Sequence, residues 1–271
     1  MIGLGRAGQA RLRALESDER ARLVSAISRE PAAGQPSVAS VLADAPVDAV
    51  IVCTPNLLHA PAARAALGAD KHVAVEYPLA QSAEEAHALF DLARERERVL
   101  HVEHIELLSP AQARLRELAR PLGHPRGGSL HTTGSSEGWI GDPLLAGSPA
   151  LRAVARLHRL VDLFGPGEVR AARLETRGDP AYRLEVELGF GSGGEVLLIE
   201  ERGPELPRST SWQIRCDRGM LQSPASAPAS GLFTRDLACF LERILSGTAP
   251  YVSEDRILHV LGLVDQIDRT L

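Results

Sequence analysis

The chain has 271 residues, enough for two domains rather than one core. Hydrophobic residues make up 44% and charged residues 24%, with a net charge of −5 and no basic block, so an ordinary soluble fold is expected and nucleic acid is not expected as a partner. There is no apolar run near the roughly 20 residues of a membrane span, no signal peptide and no metal or redox spacing among Cys53, Cys216 and Cys239, so a cytoplasmic protein with reduced thiols and no bound metal is expected.

The chain opens with "GLGRAG", in which Gly3, Gly5 and Gly8 form a G-x-G-x-x-G around Arg6 and Ala7. In a dinucleotide site these glycines allow a tight turn, close approach to a pyrophosphate and close helix packing. A helix-like run, Ala10 to Leu15, follows and would offer its N-terminal amides to the phosphates. The strand before the loop should be about four to six residues long, yet only Met1 and Ile2 precede Gly3. The expectation is that the reading frame begins upstream or that the chain is a fragment.

Leu23 to Ile27 is a candidate second strand. NAD-preferring enzymes place an acid about 20 residues beyond the glycine loop, on the ribose. Here Ser28-Arg29 stand at that point, and Arg29 suits a 2′-phosphate. NADPH is therefore expected over NADH, with Glu30 as the counter-signal.

Ala49 to Cys53 is the next strand, followed by the turn Thr54-Pro55-Asn56 and a helix from about His59 to Leu67. His72 to Glu76 is a strand that breaks at Tyr77-Pro78. Ser82, three residues before Glu85, starts a helix as a capping box, and "VLHVEHI" closes the pattern as another strand. Strand and helix alternation with short joins predicts an α/β, doubly wound parallel sheet with a truncated first strand. Ligands of such sheets bind at the strand ends, where Glu76, Glu103 and Glu106 are the nearest carboxylates. His101 and His104 are placed to titrate near neutrality.

The second half differs. Tyr182 to Phe190 alternates apolar and polar residues, as does a half-buried antiparallel strand. "GSLHTT", "EVLLIEE" and "STSWQIRC" are further strand candidates, flanked by helices over 149–164 and 255–269. The first of these helices has an apolar stripe of Val154, Leu157, Val161 and Phe164. Arg152, Arg156 and Arg159 form a basic stripe on it whose guanidinium forks suit carboxylates. Ser223 to Gly231 reads as a surface loop. A dinucleotide-binding domain over 1–108 and an α+β substrate domain over 109–271, built on a largely antiparallel sheet, are expected.

"GLGRAG", "VCTPNLLH" and "VAVEYPLA" resemble the glucose-fructose oxidoreductase/inositol dehydrogenase family of NAD(P)-dependent enzymes. That resemblance implies cofactor contacts from the glycine loop, Ser28, Arg29, Thr54, Pro55, His59 and Glu76. Its members usually carry Glu-Lys-Pro where this chain has Glu76-Tyr77-Pro78, and an Asp and a His at positions that fall near Leu151 and Ala155. The proton-handling set for alcohol oxidation is thus missing. "VEYP", "VLHVEHIELL", "GSLHTTG", "RLHRLVDLFG", "IEERGPEL" and "RILHVLGL" resemble, in order, the biliverdin reductases. This narrower resemblance implies hydride transfer from NAD(P)H to C10 of biliverdin, a linear tetrapyrrole with two propionates. Tyr77, Arg156 and Glu76 are then expected to be catalytic, and Glu103, Glu106, Arg152 and Arg159 to line the substrate site, in a monomer or small homo-oligomer. Two alternatives stay open: a relative acting on another carbonyl or conjugated substrate, and a non-catalytic cofactor-binding sensor.

Overall fold

A computed structural model describes every residue except 29–37, 45, 179, 192 and 223–229. Arg29, Glu30 and most of the Ser223 to Gly231 loop therefore lie outside the described residues. The chain divides into two compact units, Met1–Ile105 with Ser230–Arg256, and Glu106–Ala229 with Ile257–Leu271. The first crossing falls near the expected boundary after residue 108. Residues 230–256, expected in the second domain, group instead with the first.

In the first unit the order is α1 (Arg6–Glu16), α2 (Val38–Asp44), β1 (Ala49–Val52), α3 (His59–Gly68), β2 (His72–Val75), α4 (Ala83–Glu95) and β3 (Leu100–Val102). The strands form a parallel sheet in the order β1-β2-β3, with Val50 opposite Val73 and Val73 opposite Leu100. Val52, Val73 and Val75 are buried, as expected of a parallel sheet covered on both faces. The α4 cap is real but shifted: Ser82 Oγ accepts the Glu85 N–H at 3.1 Å, while the Glu85 carboxylate accepts from Gln81, one residue earlier than in a regular capping box. The strands end before Cys53 and Glu76, so both residues begin the loops at the sheet's C-terminal edge.

Met1 and Ile2 do the work of a first strand. Ile2 bridges Ile27 on one side and Val52 on the other, and its carbonyl accepts the Cys53 N–H at 2.7 Å. The expected strand over Leu23 to Ile27 does not form. Its neighbour offers only this short stretch of backbone, so Ile27 alone pairs and Leu23 and Val24 are exposed. Another unforeseen element is the helix Leu232–Ser246. Its Leu237, Phe240 and Leu241 share one core with Met1, Ala14, Ile51, Cys53 and Ala74, which is why this segment joins the first unit.

The chain crosses to the second unit in the short helix α5 (Ile105–Leu108) and continues through α6 (Pro110–Ala119), capped by Ser109, and β4 (Pro125–Ser135). Next come α7 (Pro143–Ala146), α8 (Pro149–Arg152) and α9 (Val154–Phe164). The single helix expected over 149–164 is broken at Ala153, whose N–H is shared by the Pro149 and Ala150 carbonyls in a tightened turn. β5 (Gly167–Thr176), β6 (Tyr182–Phe190), β7 (Glu195–Gly203), β8 (Ser209–Cys216) and β9 (Gly219–Gln222) complete a six-stranded sheet in the order β5-β6-β7-β4-β8-β9. All its pairings are antiparallel except β4 with β7. The helix Leu232–Ser246 is α10, and α11 (Glu254–Thr270) ends the chain.

One face of this sheet is a packed layer of Leu184, Val186, Leu188, Leu198, Leu130, Trp212 and Ile214. The apolar stripe of α9 is buried throughout. Burying each such side chain contributes about 1.5–3 kcal/mol. α11 also protects the sheet's edge strand: His259 Nε2 accepts the Gly167 N–H and Gln266 Oε1 the Val169 N–H. Among the described residues no helix is long and apolar enough to cross a membrane.

Candidate active site

The expected site residues fall into two groups, one in each unit. In the first unit, the glycine loop runs from Ile2 into α1. Gly3 has φ 95°, and a Cβ on it would lie 2.3 Å from the Cys53 carbonyl oxygen. A Cβ on Gly8 would lie 2.2 Å from Gly3 O. Both glycines are thus required by the loop's own packing. Gly5 is different: a Cβ there would meet nothing within 4 Å, so the protein's own packing does not demand it. As the N-cap of α1 it has no side chain over the first-turn amides. An open glycine at a helix N-terminus fits the close approach of a dinucleotide pyrophosphate. Arg6 is exposed beside it, with Ala7 half-buried and Ser28 half-buried beyond Ile27.

At the ends of β1 and β2 the loops are tied together by His59. Its ring is buried, with Nε2 2.7 Å from Thr54 O and Nδ1 2.7 Å from Pro78 O. Burial lowers its pKa. His59 therefore joins the Thr54-Pro55 turn to the Tyr77-Pro78 turn, and both its nitrogens are occupied by backbone. Tyr77 is half-buried, and its ring stacks on that of His104 with centroids 6.2 Å apart. Burial drives His104 down to a pKa of about 4, so this ring is neutral.

Glu76 turns onto α1, where Arg11 Nε donates to its Oε1 at 2.8 Å. The other arm of the guanidinium donates to Asp236 of α10 at 2.5 Å. Asp236 also accepts from Tyr251 Oη at 2.6 Å and lies 3.0 Å from His101 Nε2. Burial would raise its pKa, but Arg11 and these hydrogen bonds outweigh it and hold the carboxyl below the usual range. Glu103 goes the other way. It is completely buried; Oε1 accepts the Ile105 N–H at 2.8 Å and Oε2 has no hydrogen-bond partner among the described residues. Burial, then the charges of Glu76 and Asp236, raise its pKa well above the ordinary value.

In the second unit the three arginines have distinct surroundings. Arg152 donates to Gly147 O and lies over the Tyr182 ring, 5.2 Å from its centroid. Arg156 Nε is 3.5 Å from Oε2 of Glu200, a fully buried carboxylate that also accepts from Arg202 at 2.7 Å. Tyr182 Oη beside it is buried without a hydrogen-bond partner among the described residues, and burial and Glu200 raise its pKa. Arg159 donates to Gln112 Oε1, stacks 4.9 Å over Trp212 and lies 4.0 Å from Glu106. Glu106 also accepts from Arg208 at 3.2 Å. Leu151 and Ala155 are buried and apolar.

Sequence reasoning missed Arg11, Asp236, Tyr251 and Glu200. Two of them did leave a signal: Arg11 sits on the face of α1 that carries Gly8 and Ala14, and Asp236 on the face of α10 that carries Leu237 and Phe240. A charge on a buried stripe is paired or it does not persist.

A glycine loop feeding a helix on a parallel sheet, followed by a second unit with its own large sheet, defines a nicotinamide-dependent oxidoreductase. Comparison with known proteins agrees. Residues 1–104 match the oxidoreductase family with an NAD-binding Rossmann fold, and residues 124–228 match the biliverdin reductase catalytic family. The chain is 33% identical to mouse biliverdin reductase A over 99% of its own length and 94% of the relative's. It is 31% identical to the human biliverdin reductase A, with the same coverage. A crystal structure of biliverdin reductase from Synechocystis sp. PCC 6803, in complex with biliverdin and NADP+, superposes with a TM-score of 0.88 at 27% identity, covering 99% of this chain and 97% of that one. The chain belongs to this Rossmann oxidoreductase family with a biliverdin reductase catalytic domain: it is a biliverdin reductase-like NAD(P)-dependent oxidoreductase.

Proposed function

We propose that the protein reduces biliverdin to bilirubin with NADPH. The observation that carries the reading is Tyr77 in the place of the family's lysine, in a chain that is alike to biliverdin reductases over nearly its whole length. When bound, the dinucleotide supplies a hydride, here to C10 of the tetrapyrrole, while a proton goes to a pyrrole nitrogen. The glycine loop with Arg6 and Ala7, together with Ser28, Arg29, Thr54 and Pro55, would hold the cofactor. His59 serves it indirectly, by joining the two turns at the strand ends.

Tyr77 brings a ring and a neutral hydroxyl, with a reference pKa of about 10. A flat conjugated substrate suits that ring better than an ammonium would. Arg156 is the proton relay or carboxylate anchor, since a fork already set over a buried carboxylate is preorganised. Glu76 orients the Tyr77 turn from its pair with Arg11. Glu106, Arg152 and Arg159 supply polar groups for the propionates, and Glu103 is a buried acid just beyond β3 whose pKa is raised.

The test is direct. Purified protein mixed with biliverdin and NADPH should turn from green to yellow, and slower turnover with NADH should follow. A protein that binds NADPH yet leaves biliverdin unchanged overturns this reading in favour of another conjugated or carbonyl substrate, or of a cofactor-binding sensor.

A further inference from the structure

We propose that Asp236, brought in by α10, is a positioning residue for hydride transfer: through Arg11 it fixes Glu76 and so the Tyr77-Pro78 turn at the end of β2. The inference deepens the proposed function and rests on it for one point, that this turn adjoins the nicotinamide.

Arg11 lies on the helix that follows the glycine loop, and its side chain is almost wholly buried. Its fork spans two carboxylates, Asp236 at 2.5 Å and Glu76 at 2.8 Å. Glu76 directly precedes Tyr77. The second oxygen of Asp236 accepts from Tyr251, whose hydroxyl accepts the His104 N–H at 2.7 Å. His104 stacks on Tyr77. Asp236 thus governs the Tyr77 turn by two routes, one through Arg11 and Glu76 and one through Tyr251 and His104.

A buried ion pair is a poor way to gain stability, because apolar residues of similar volume commonly do as well or better. Its use here is directional: two fixed forks define where Glu76 lies. Lysine at position 11 would be a point charge and could not span both carboxylates in one plane.

NADPH titrated into wild type and Asp236→Asn, followed by emission of the bound dihydronicotinamide, tests this. Thermal melts by circular dichroism on the same samples check folding. Asp236→Asn should lose about half or more of the emission gain while Kd changes by less than about threefold, because the pyrophosphate contacts are untouched. With biliverdin, kcat should fall by about tenfold at nearly constant KM. Arg11→Lys should give the same pattern. Glu76→Gln should match Asp236→Asn, and the double variant should lose no more than either single one.

Wild-type emission and kcat in folded Asp236→Asn overturn the proposal, as do losses that simply multiply in the double variant. If Asp236→Asn does not fold, Glu76→Gln, at the more accessible end of the relay, carries the test, and unchanged emission there overturns the proposal. A wild type without turnover of biliverdin, but with emission lost in the variants, supports the positioning role and overturns the substrate reading instead.

Discussion

The buried polar groups of the two units are unbalanced in opposite senses. In the first unit one guanidinium, Arg11, serves three carboxyls, Glu76, Asp236 and Glu103. In the second, one buried carboxylate, Glu200, serves Arg156 and Arg202, with Arg152 over the adjoining Tyr182. A surplus carboxyl can be relieved by holding its proton more tightly, the direction in which burial and the charges of Glu76 and Asp236 move Glu103. A surplus arginine cannot be relieved by losing one, because guanidinium stays charged. The first unit can therefore shed part of its surplus charge by proton uptake. The second unit has no such outlet, so Arg152, Arg156 and Arg202 keep their charge around Glu200.

The contrast is broken or sharpened most strongly by removing the central carboxylates. Asp236→Ala should cost about 3–5 kcal/mol in denaturant unfolding, since Arg11, His101 and Tyr251 all lose their shared acceptor in a closed interior. Glu200→Ala should cost about 1–2 kcal/mol, because Arg156 and Arg202 are 12% exposed and reach water. Equal losses would break the comparison.

The pH dependence comes next. His104 is neutral in the folded state down to about pH 4, whereas an unfolded histidine binds its proton near 6.5. The unfolded chain then holds more protons between those values, so stability falls as pH drops through this window, by about 3 kcal/mol at pH 4. Urea unfolding of His104→Asn should lack that contribution. Glu103 has the opposite sign: its folded form keeps a proton that the unfolded form releases, so its contribution falls as pH rises above the ordinary carboxyl range. Glu103→Gln should gain on wild type as pH rises above that range; a parallel pair of curves would sink the upward shift of Glu103.

On activity, Arg156→Ala should lower kcat/KM by about 100-fold, or about 2.7 kcal/mol of transition-state stabilisation. A value equal to wild type would refute its role. The smallest effect should be Tyr77→Phe, about threefold in kcat, since the ring and its stacking on His104 remain.

Much of this was legible in the chain itself. Tyr182 to Phe190 and Ser209 to Cys216 announced themselves by residue type and alternation, and β6 and β8 have those bounds. β5 went unseen because it is an edge strand with most of its side chains at least partly exposed, so its sequence alternates weakly. The glycine loop was legible because backbone conformation and close packing leave few other residues possible at Gly3 and Gly8. Arg156 was found by helical spacing and likeness. Its partner Glu200 was not, because residues 44 apart meet only when a helix is laid on a sheet.

The sequence by itself determined the local devices: the glycine turn before α1, the Ser82 and Ser109 caps, the strand alternation and the Tyr77 that stands where the family usually has a lysine. Each depends on neighbours a few residues away, through dihedral limits, hydrogen-bond reach and side-chain period. Only the tertiary structure decided which charges share a site. Asp236 meets Arg11 across 225 positions of sequence, and a bare Asp in a late helix carries no mark of that. Proton affinity follows the same rule: Glu103 is an ordinary glutamate in the chain, and in the fold burial and two carboxylates brought from elsewhere raise its pKa well above the usual value.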